Sequence, residues 1–363
     1  MASKDDYLVS LVVPCYNEHE TIGPFMKAVD EKLASVKDHI EIVFVDDGSK
    51  DDTAKQIHEL CLKDPRVSLI RLSRNFGKEA GMSAALDLVQ GDAMVMMDAD
   101  LQDPPELVLD FIRCWREEGV DNVYGVRTDR SQDTGAKRVT SGLFYKVFNT
   151  LSSRVKIPEN VGDFRLIDRK IIDTLRDLPE RNRFMKGLFA WPGFTSRGIG
   201  YKRPERVAGQ TKWNYWKLWN FALDGISGFS SLPLRVWSYV GGAVGLFAIL
   251  YMVFIFIKTM VVGIDVPGYA SIMSAILFLG AVQLISIGVL GEYLGRLGEE
   301  VKGRPVYVVR SLEGPIASKI RKGVTSTIVG VTCNEGADYE KKNSAGPDEQ
   351  PRGEDKPSSS DRI

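Results

Sequence analysis

The segment Ala93 to Gln102 reads A-M-V-M-M-D-A-D-L-Q, an apolar run that ends in two carboxylates and an amide. Such a run fits a buried parallel strand. Asp98 and Asp100 then fall at its carboxyl end, where open α/β sheets bind their ligands. Two carboxylates this close repel unless a cation lies between them. A divalent ion answers that need, and Mg²⁺ typically takes one or two carboxylates together with substrate phosphates. The competing reading is a solvated acidic turn ahead of Pro104 and Pro105, because short motifs produce many false matches.

Three other strand ends converge on the same edge. The first carries Pro14-Cys15-Tyr16-Asn17-Glu18, the second Asp46-Asp47-Gly48-Ser49, and the third Arg71-Leu72-Ser73-Arg74-Asn75-Phe76-Gly77. An edge with Asp46, Asp47, Asp98 and Asp100 suits a nucleotide and a metal. A carboxylate at the second strand can accept hydrogen bonds from a base N–H or a ribose hydroxyl, and Gly48 permits a tight turn. No G-x-G-x-x-G follows the first strand and no G-x-x-x-x-G-K-[ST] occurs, which argues against a dinucleotide cofactor and against a P-loop.

The elements that must hold these residues alternate. Strands are expected at Leu8–Pro14, Ile40–Asp46, Val67–Leu72, Ala93–Asp98 and Asn122–Val126. Helices are expected at Glu20–Lys37, Thr53–Lys63 (N-capped by Asp51 or Asp52), Lys78–Val89 and Pro105–Glu118. Repeated βα units imply a parallel sheet with right-handed crossovers. Residues 127 to 212 are less regular and basic. From Arg181 to Lys217 there are nine Lys or Arg and one acidic residue, Glu205.

The second half is different. Val236 to Ile257 and Val266 to Gly291 are 22 and 26 residues without a charge. Each exceeds the ~20 residues that cross a bilayer as a helix, and neither shows the polar face of a soluble helix. They are read as a transmembrane hairpin over 235–292 rather than two core helices. Arg235 precedes the first span, and Arg296, Lys302, Arg304 and Arg310 follow the second, so the positive-inside rule places the N-terminal domain in the cytoplasm. Trp213, Trp216 and Trp219 recur at helical spacing just ahead of the hairpin. Residues 213–234 are therefore read as an amphipathic helix at the membrane surface, the alternative being a Trp-rich core helix. The tail after about residue 311 is polar and expected to be disordered, although the apolar stretch Ser326 to Cys333 could dock as a strand. The net charge of −1 gives no argument for a nucleic-acid partner. The four cysteines show no metal spacing and read as reduced thiols, and the short polar start shows no secretory signal.

P-C-Y-N-E, V-D-D-G-S-x-D-x-T, R-N-F-G-K-E-A-G and M-D-A-D-L-Q-D-P-P-E, in this order, resemble the family 2 glycosyltransferases with a GT-A fold. The later V-G-D-F-R-L and G-Q-T-K-W segments and the terminal two-helix anchor are similar to the polyprenyl-phosphate sugar transferases, which include bactoprenol glucosyltransferases and dolichol-phosphate mannose synthases. The resemblance covers about residues 8 to 310. It implies a cytoplasmic GT-A catalytic domain over 1–212, with a Rossmann-like mostly parallel sheet, and a multi-pass protein of the bacterial cytoplasmic membrane. It implies that Asp98, Asp100 and Gln102 hold Mg²⁺ or Mn²⁺ against the donor diphosphate. Pro14, Tyr16, Glu18 and Asp46 would line the nucleoside pocket, with Asp47 a further candidate. Asp163 matches the position proposed as catalytic base. Arg127, Arg138, Arg165 and Lys212 are the candidates for gripping phosphates, Lys212 having the clearest motif match. The resemblance also implies a homo-oligomer, a tetramer in related proteins, and a role in cell-envelope polysaccharide modification.

The reaction expected is inverting transfer of one sugar, glucose from UDP-glucose, to undecaprenyl phosphate. Other sugars on the same carrier (mannose, N-acetylglucosamine or aminoarabinose) are the alternative. A phosphate monoester nucleophile has its second pKa near ~6 and is already anionic at neutral pH. A strong base is then less necessary, so Asp163 could equally orient the acceptor or pair with an arginine, Arg165 or Arg169. A processive synthase is disfavoured by the absence of Q-x-x-R-W and by only two spans. A non-catalytic nucleotide-binding scaffold is disfavoured by the intact D-x-D and its glutamine.

Overall fold

The computed structural model describes residues 6–128, 156, 158, 161–181, 183–202, 232–262 and 268–319. Arg138, Lys212, nearly all of the segment 213–234 and the stretch 326–333 lie outside the described residues. The strands are β1 (Val9–Cys15), β2 (Ile40–Asp46), β3 (Val67–Leu72), β4 (Ala93–Met96), β5 (Asn122–Arg127), β6 (Val161–Asp168), β7 (Ser196–Tyr201) and β8 (Val309–Glu313). They form one eight-stranded sheet in the order β7-β5-β6-β4-β1-β2-β3-β8. The four central strands, β3-β2-β1-β4, are mutually parallel. β6 pairs antiparallel with β4 and β5, and β8 pairs antiparallel with β3. The sheet is thus mostly parallel at its centre and mixed at its flanks.

The central strands are continuous apolar runs because both of their faces are covered. One face packs against α1 (His19–Lys32), α2 (Thr53–Lys63) and α4 (Leu107–Glu118) through Phe25, Phe44, Ile57, Phe111 and Phe164. The other packs against α3 (Lys78–Leu88), α5 (Arg169–Arg176) and α6 (Met185–Leu188) through Met82, Leu86, Ile171, Ile172 and Met185. The chain returns past β2 and β1 after β3, so β1 and β4 lie side by side and the strand order reverses between them, β1 leading to β2 on one side and β4 to β5 on the other. That is a topological switch point, and a crevice opens outside the carboxyl ends of those two strands.

Several boundaries differ from the sequence expectation. α1 stops at Lys32, and a 3₁₀ stretch over Ala34–His39 replaces its last turn. β4 ends at Met96, two residues before Asp98, so the first carboxylate belongs to the turn. α4 begins at Leu107, after Pro104 and Pro105 have formed the preceding turn. Asp52 occupies the N-cap position of α2 without a side-chain bond, and the preceding Asp51 supplies one: its Oδ1 accepts from the Thr53 N–H at 3.1 Å and the Thr53 hydroxyl at 2.6 Å. The boundary of order near residue 311 is corrected. β8 completes the sheet edge and α9 (Pro315–Lys319) follows it, because Leu312, Ile316 and Ala317 are buried against the second face.

Two long helices, α7 (Leu232–Val262) and α8 (Tyr269–Lys302), follow the sheet domain. Among the described residues one stretch, Phe278–Lys302, is long and apolar enough to cross a membrane. Large apolar side chains on both helices face outward, including Phe247 at 70% and Leu284 at 72% exposure. The end of α8 is joined to the sheet domain. The Arg181 N–H donates to both carboxylate oxygens of Glu300, at 2.9 and 3.1 Å, and the Arg181 guanidinium donates to the Arg304 carbonyl.

Candidate active site

The acidic turn begins where β4 ends. Leu101 holds φ of 56° inside it, a left-handed conformation that costs a non-glycine residue roughly 1–2 kcal/mol. The Gln102 N–H donates to Asp100 Oδ1 at 3.1 Å and closes the turn. Gln102 and Asp103 are buried, whereas Asp98 and Asp100 are partly exposed. Carboxylate and amide oxygens are hard donors suited to Mg²⁺ or Mn²⁺. Among the described residues no group of three or more His, Cys, Asp or Glu forms a closed cage. An ion here would therefore draw further oxygen ligands from a bound donor, as Mg²⁺ sites commonly do.

β6 brings Asp163 to the same place. β4 and β6 pair Met96 with Arg165. The turn after β4 carries Asp98 close to Asp163, near enough for one ammonium to contact both. Like charges this close are unfavourable, and Lys78 at the start of α3 resolves the conflict. Its Nζ lies 2.6 Å from Asp98 Oδ1 and 2.9 Å from Asp163 Oδ2. Burial opposes the charge on Asp163, but Lys78 and Lys186 outweigh it and hold its carboxyl well below the usual range. Asp163 Oδ1 is buried without a hydrogen-bond partner. Of the alternatives for Asp163, the ion pair formed is with Lys78, and the Arg165 charge adds to it. The Arg165 guanidinium is stacked 4.3 Å over Phe189 and donates to the Gly162 carbonyl at 2.9 Å. Arg169 reaches the carbonyls of Val89 and Gly91.

The β1 and β2 ends interlock. Asn17 N–H donates to Ser49 Oγ, Lys50 N–H to Asn17 Oδ1, and Glu18 N–H to Thr53 Oγ1, each at 2.9 Å. A depression of about 600 Å³ beside these loops is lined by Asn17, Glu18, Thr21, Lys50, Asp51 and Asp52. Pro14, Tyr16 and Glu18 are half-buried along this edge. Asp46 is fully buried. Its Oδ1 accepts from Ser49 N–H at 3.1 Å, while Oδ2 has no hydrogen-bond partner and lies 3.5 Å from Arg71 Nε. Burial pushes its pKa up against Ser49 and Arg71. Asp47 has both oxygens engaged by backbone, from Phe76 N–H at 2.7 Å and Gly77 N–H at 2.8 Å. It clamps the β3–α3 loop and so places Lys78.

Arg127, at the end of β5, belongs to a second network. Tyr201 donates to Asp103 Oδ1 at 2.5 Å, and Arg127 Nε lies 3.4 Å from the Tyr201 oxygen. Arg127 is thereby tied to the residue that follows Gln102. Burial works against its charge, but Tyr201, Asp103 and Asp163 hold its pKa up. Sequence reasoning missed Lys78, Tyr201 and Asp103. Lys78 stood inside the quoted R-N-F-G-K-E-A-G motif, and Asp103 directly follows Gln102. Tyr201 carried no local signal.

A switch-point crevice with an acidic turn on one side and an aspartate from an added antiparallel strand on the other defines a GT-A-like glycosyltransferase site. Residues 10–176 match glycosyl transferase family 2, and residues 232–297 match the GtrB C-terminal hairpin. An uncharacterized glycosyltransferase of Synechocystis sp. is 52% identical over 306 residues, covering 84% of this chain and 96% of its own. The SfII prophage-derived bactoprenol glucosyl transferase of Shigella flexneri is 49% identical over 302 residues, covering 83% of this chain and 97% of its own. A prophage bactoprenol glucosyl transferase homolog of Escherichia coli is 47% identical over 305 residues, covering 84% and 99%. The chain belongs to the family 2 glycosyltransferases. Within that family it is similar to the bactoprenol glucosyl transferases.

Proposed function

We propose that this enzyme transfers a single glucosyl unit from UDP-glucose to a polyprenyl phosphate, undecaprenyl phosphate, at the cytoplasmic face of a bacterial membrane, with inversion. The observation that carries the reading is the meeting of Asp98, Asp100 and Asp163 at one sheet edge, in a chain that continues into two long apolar helices. The 49% identity to a bactoprenol glucosyl transferase over nearly its whole length supports the lipid acceptor and the glucosyl group.

In this reading Asp98, Asp100 and Gln102 hold Mg²⁺ or Mn²⁺ against the donor diphosphate. Held there, such an ion would supply charge stabilisation for the departing nucleoside diphosphate. Asp46, whose Oδ2 has no hydrogen-bond partner and is balanced by Arg71, serves the nucleoside beside Pro14, Tyr16 and Glu18. Asp47 acts from behind, through the loop it clamps. Arg127 faces the phosphates from β5, and Arg165 braces the start of β6 through the Gly162 carbonyl. Arg138 and Lys212 remain phosphate-binding candidates from the sequence.

The nucleophile is a phosphate oxygen that is mostly anionic above pH ~6. A carboxylate held as low as Asp163 is a weak proton acceptor. Asp163 therefore orients the acceptor and needs to remove no proton. α7 and α8 form a membrane-spanning hairpin that keeps the site at headgroup level, where a hydrocarbon-tailed substrate presents its phosphate. In this reading the catalytic domain ends near residue 212 and the hairpin comprises α7 and α8; the interfacial helix expected over 213–234 lies almost wholly outside the described residues. The assembly is a homo-oligomer.

The test is a donor screen. Detergent-purified protein is incubated with undecaprenyl phosphate, Mg²⁺ or Mn²⁺, and each of several nucleotide sugars, and the lipid product is weighed by mass spectrometry. One hexose added from UDP-glucose is expected. Transfer from another donor moves the reading to that sugar, and no transfer from any donor removes it.

A further inference from the structure

We infer that Lys78 serves as the resident second cation of this site: its ammonium joins Asp98 on the acidic turn to Asp163 on β6, so that both carboxylates are fixed and the turn takes a single divalent ion. This rests on the reading of the turn as the metal and diphosphate site.

The geometry requires a cation there. The β4–β6 pairing brings the turn that carries Asp98 close to Asp163, and Lys78 Nζ is within 2.9 Å of both carboxylates. The lysine is not a loose surface side chain. It opens α3 directly after Gly77, whose φ is 99° and whose N–H is held by Asp47 at 2.8 Å. Gly77 also accepts the Gly81 N–H at 3.1 Å, which starts the helix. The ammonium is therefore aimed by three strands at once: β2 through Asp47, β4 through the turn, and β6 through Asp163. The substrates supply the reason for its charge. A diphosphate and a phosphate monoester must approach a site that already carries Asp98, Asp100 and Asp163. One divalent ion leaves that group of carboxylates and phosphates strongly anionic. A fixed ammonium offsets the carboxylate nearest the acceptor without occupying a ligand position that the donor needs. Asp163 Oδ2 is turned to Lys78, while Oδ1 remains free of protein partners. Lys78 thus fixes the orientation of the Asp163 carboxylate, and it is a positioning residue.

Removing the ammonium leaves two adjacent carboxylates with no partner between them, a pair that a divalent ion fills. The experiment titrates Mn²⁺ by electron paramagnetic resonance into the full-length chain in detergent with UDP, for wild type, Lys78→Met and Lys78→Arg. Steady-state kinetics with UDP-glucose and undecaprenyl phosphate follow. Wild type should bind one Mn²⁺ per chain. Lys78→Met should bind a second Mn²⁺ that is lost again when Asp163→Asn is added. Its kcat should fall about 100-fold, the scale of losing one fixed electrostatic group, with donor KM changed less than about threefold. Lys78→Arg should keep one Mn²⁺ and recover part of kcat. Unchanged Mn²⁺ stoichiometry in Lys78→Met overturns the inference, even if activity is lost, since a merely structural lysine gives that result. Unchanged kcat overturns it equally. If Lys78→Met does not fold, Lys78→Gln is read by the same criteria. A wild type that binds Mn²⁺ with UDP but transfers no sugar would count against the proposed reaction, and the Mn²⁺ comparison would still decide the role of Lys78.

Discussion

Asp100, Asp163 and Glu79 show how differently one site can treat three carboxyl groups. Asp100→Asn keeps an acceptor for the Gln102 N–H and removes only the charge. Turnover should fall by about 10²–10³ while the thermal midpoint stays near that of wild type. Asp163 is held ionised by Lys78 and Lys186 despite its burial, so the acid limb of kcat/KM should lie near pH ~6, where the acceptor phosphate titrates. Asp163→Asn should lower the rate without moving that limb; a limb that vanishes in this variant would make Asp163 the base. Glu79 is the reverse case. Burial, then the Asp163 charge, push its carboxyl from 4.5 up to about 8. Its folded pKa is raised, so the folded state binds the extra proton. Its favourable contribution is present at low pH and is lost as pH rises from 4.5 through about 8. Glu79→Gln should therefore flatten the fall in thermal midpoint over that window, measured against wild type in matched buffers. The acidic residues were legible because their types and spacing announce ion binding. Lys78 was not, because its partners are set by the β4–β6 register, which no local pattern reveals.

At the scale of elements, the loops are as constrained as the strands. Gly48 has φ of 68°, and a Cβ there would meet the Arg74 carbonyl carbon at 2.4 Å. That atom is backbone, so nothing can swing aside. Gly48→Ala should cost about 2–4 kcal/mol in denaturant unfolding, combining the clash with the strained φ. β8 is the other informative element. Leu312 is fully buried on the second face of the sheet, and Leu312→Ala should cost about 2–5 kcal/mol. Glu313 pairs with His58 of α2 at 2.5 Å, and the Ile316 N–H donates to Ser68 at 3.2 Å. The strand thus fastens the chain after α8 to the edge at β3. The sequence displayed the central βα alternation plainly, since buried parallel strands are unbroken apolar runs. It concealed β6, β7 and β8, which are recruited by pairing with strands far away in the chain. The 3₁₀ stretch after α1 was concealed for a related reason, since Lys37 to His39 carry no helix-stop signal of their own.

For the whole molecule, the outward apolar surface of α7 and α8 calls for a solvent other than water. Phe247, Val261 and Leu284 are each at least 70% exposed, among many large apolar side chains turned outward on these helices, a pattern that marks a membrane or interaction surface. The protein should sediment with membranes, resist high salt and alkaline carbonate, and come off only in detergent; release by salt alone would refute the spanning hairpin. The sequence made this part legible through the two uncharged stretches. The joint between α8 and the catalytic domain had no such signature, because Arg181 and Glu300 are far apart in the chain. That joint has a mechanical consequence. With Arg181 bonded to Glu300 in the last turn of α8 and to Arg304 just beyond it, and β8 zipped to β3, the reactive crevice is braced against the end of α8 at two points. Its height above the hydrocarbon is then a built-in length. On the proposed embedding, catalytic output becomes sensitive to bilayer thickness, since a thicker leaflet would carry the carrier's headgroup past the reach of a crevice that cannot follow it.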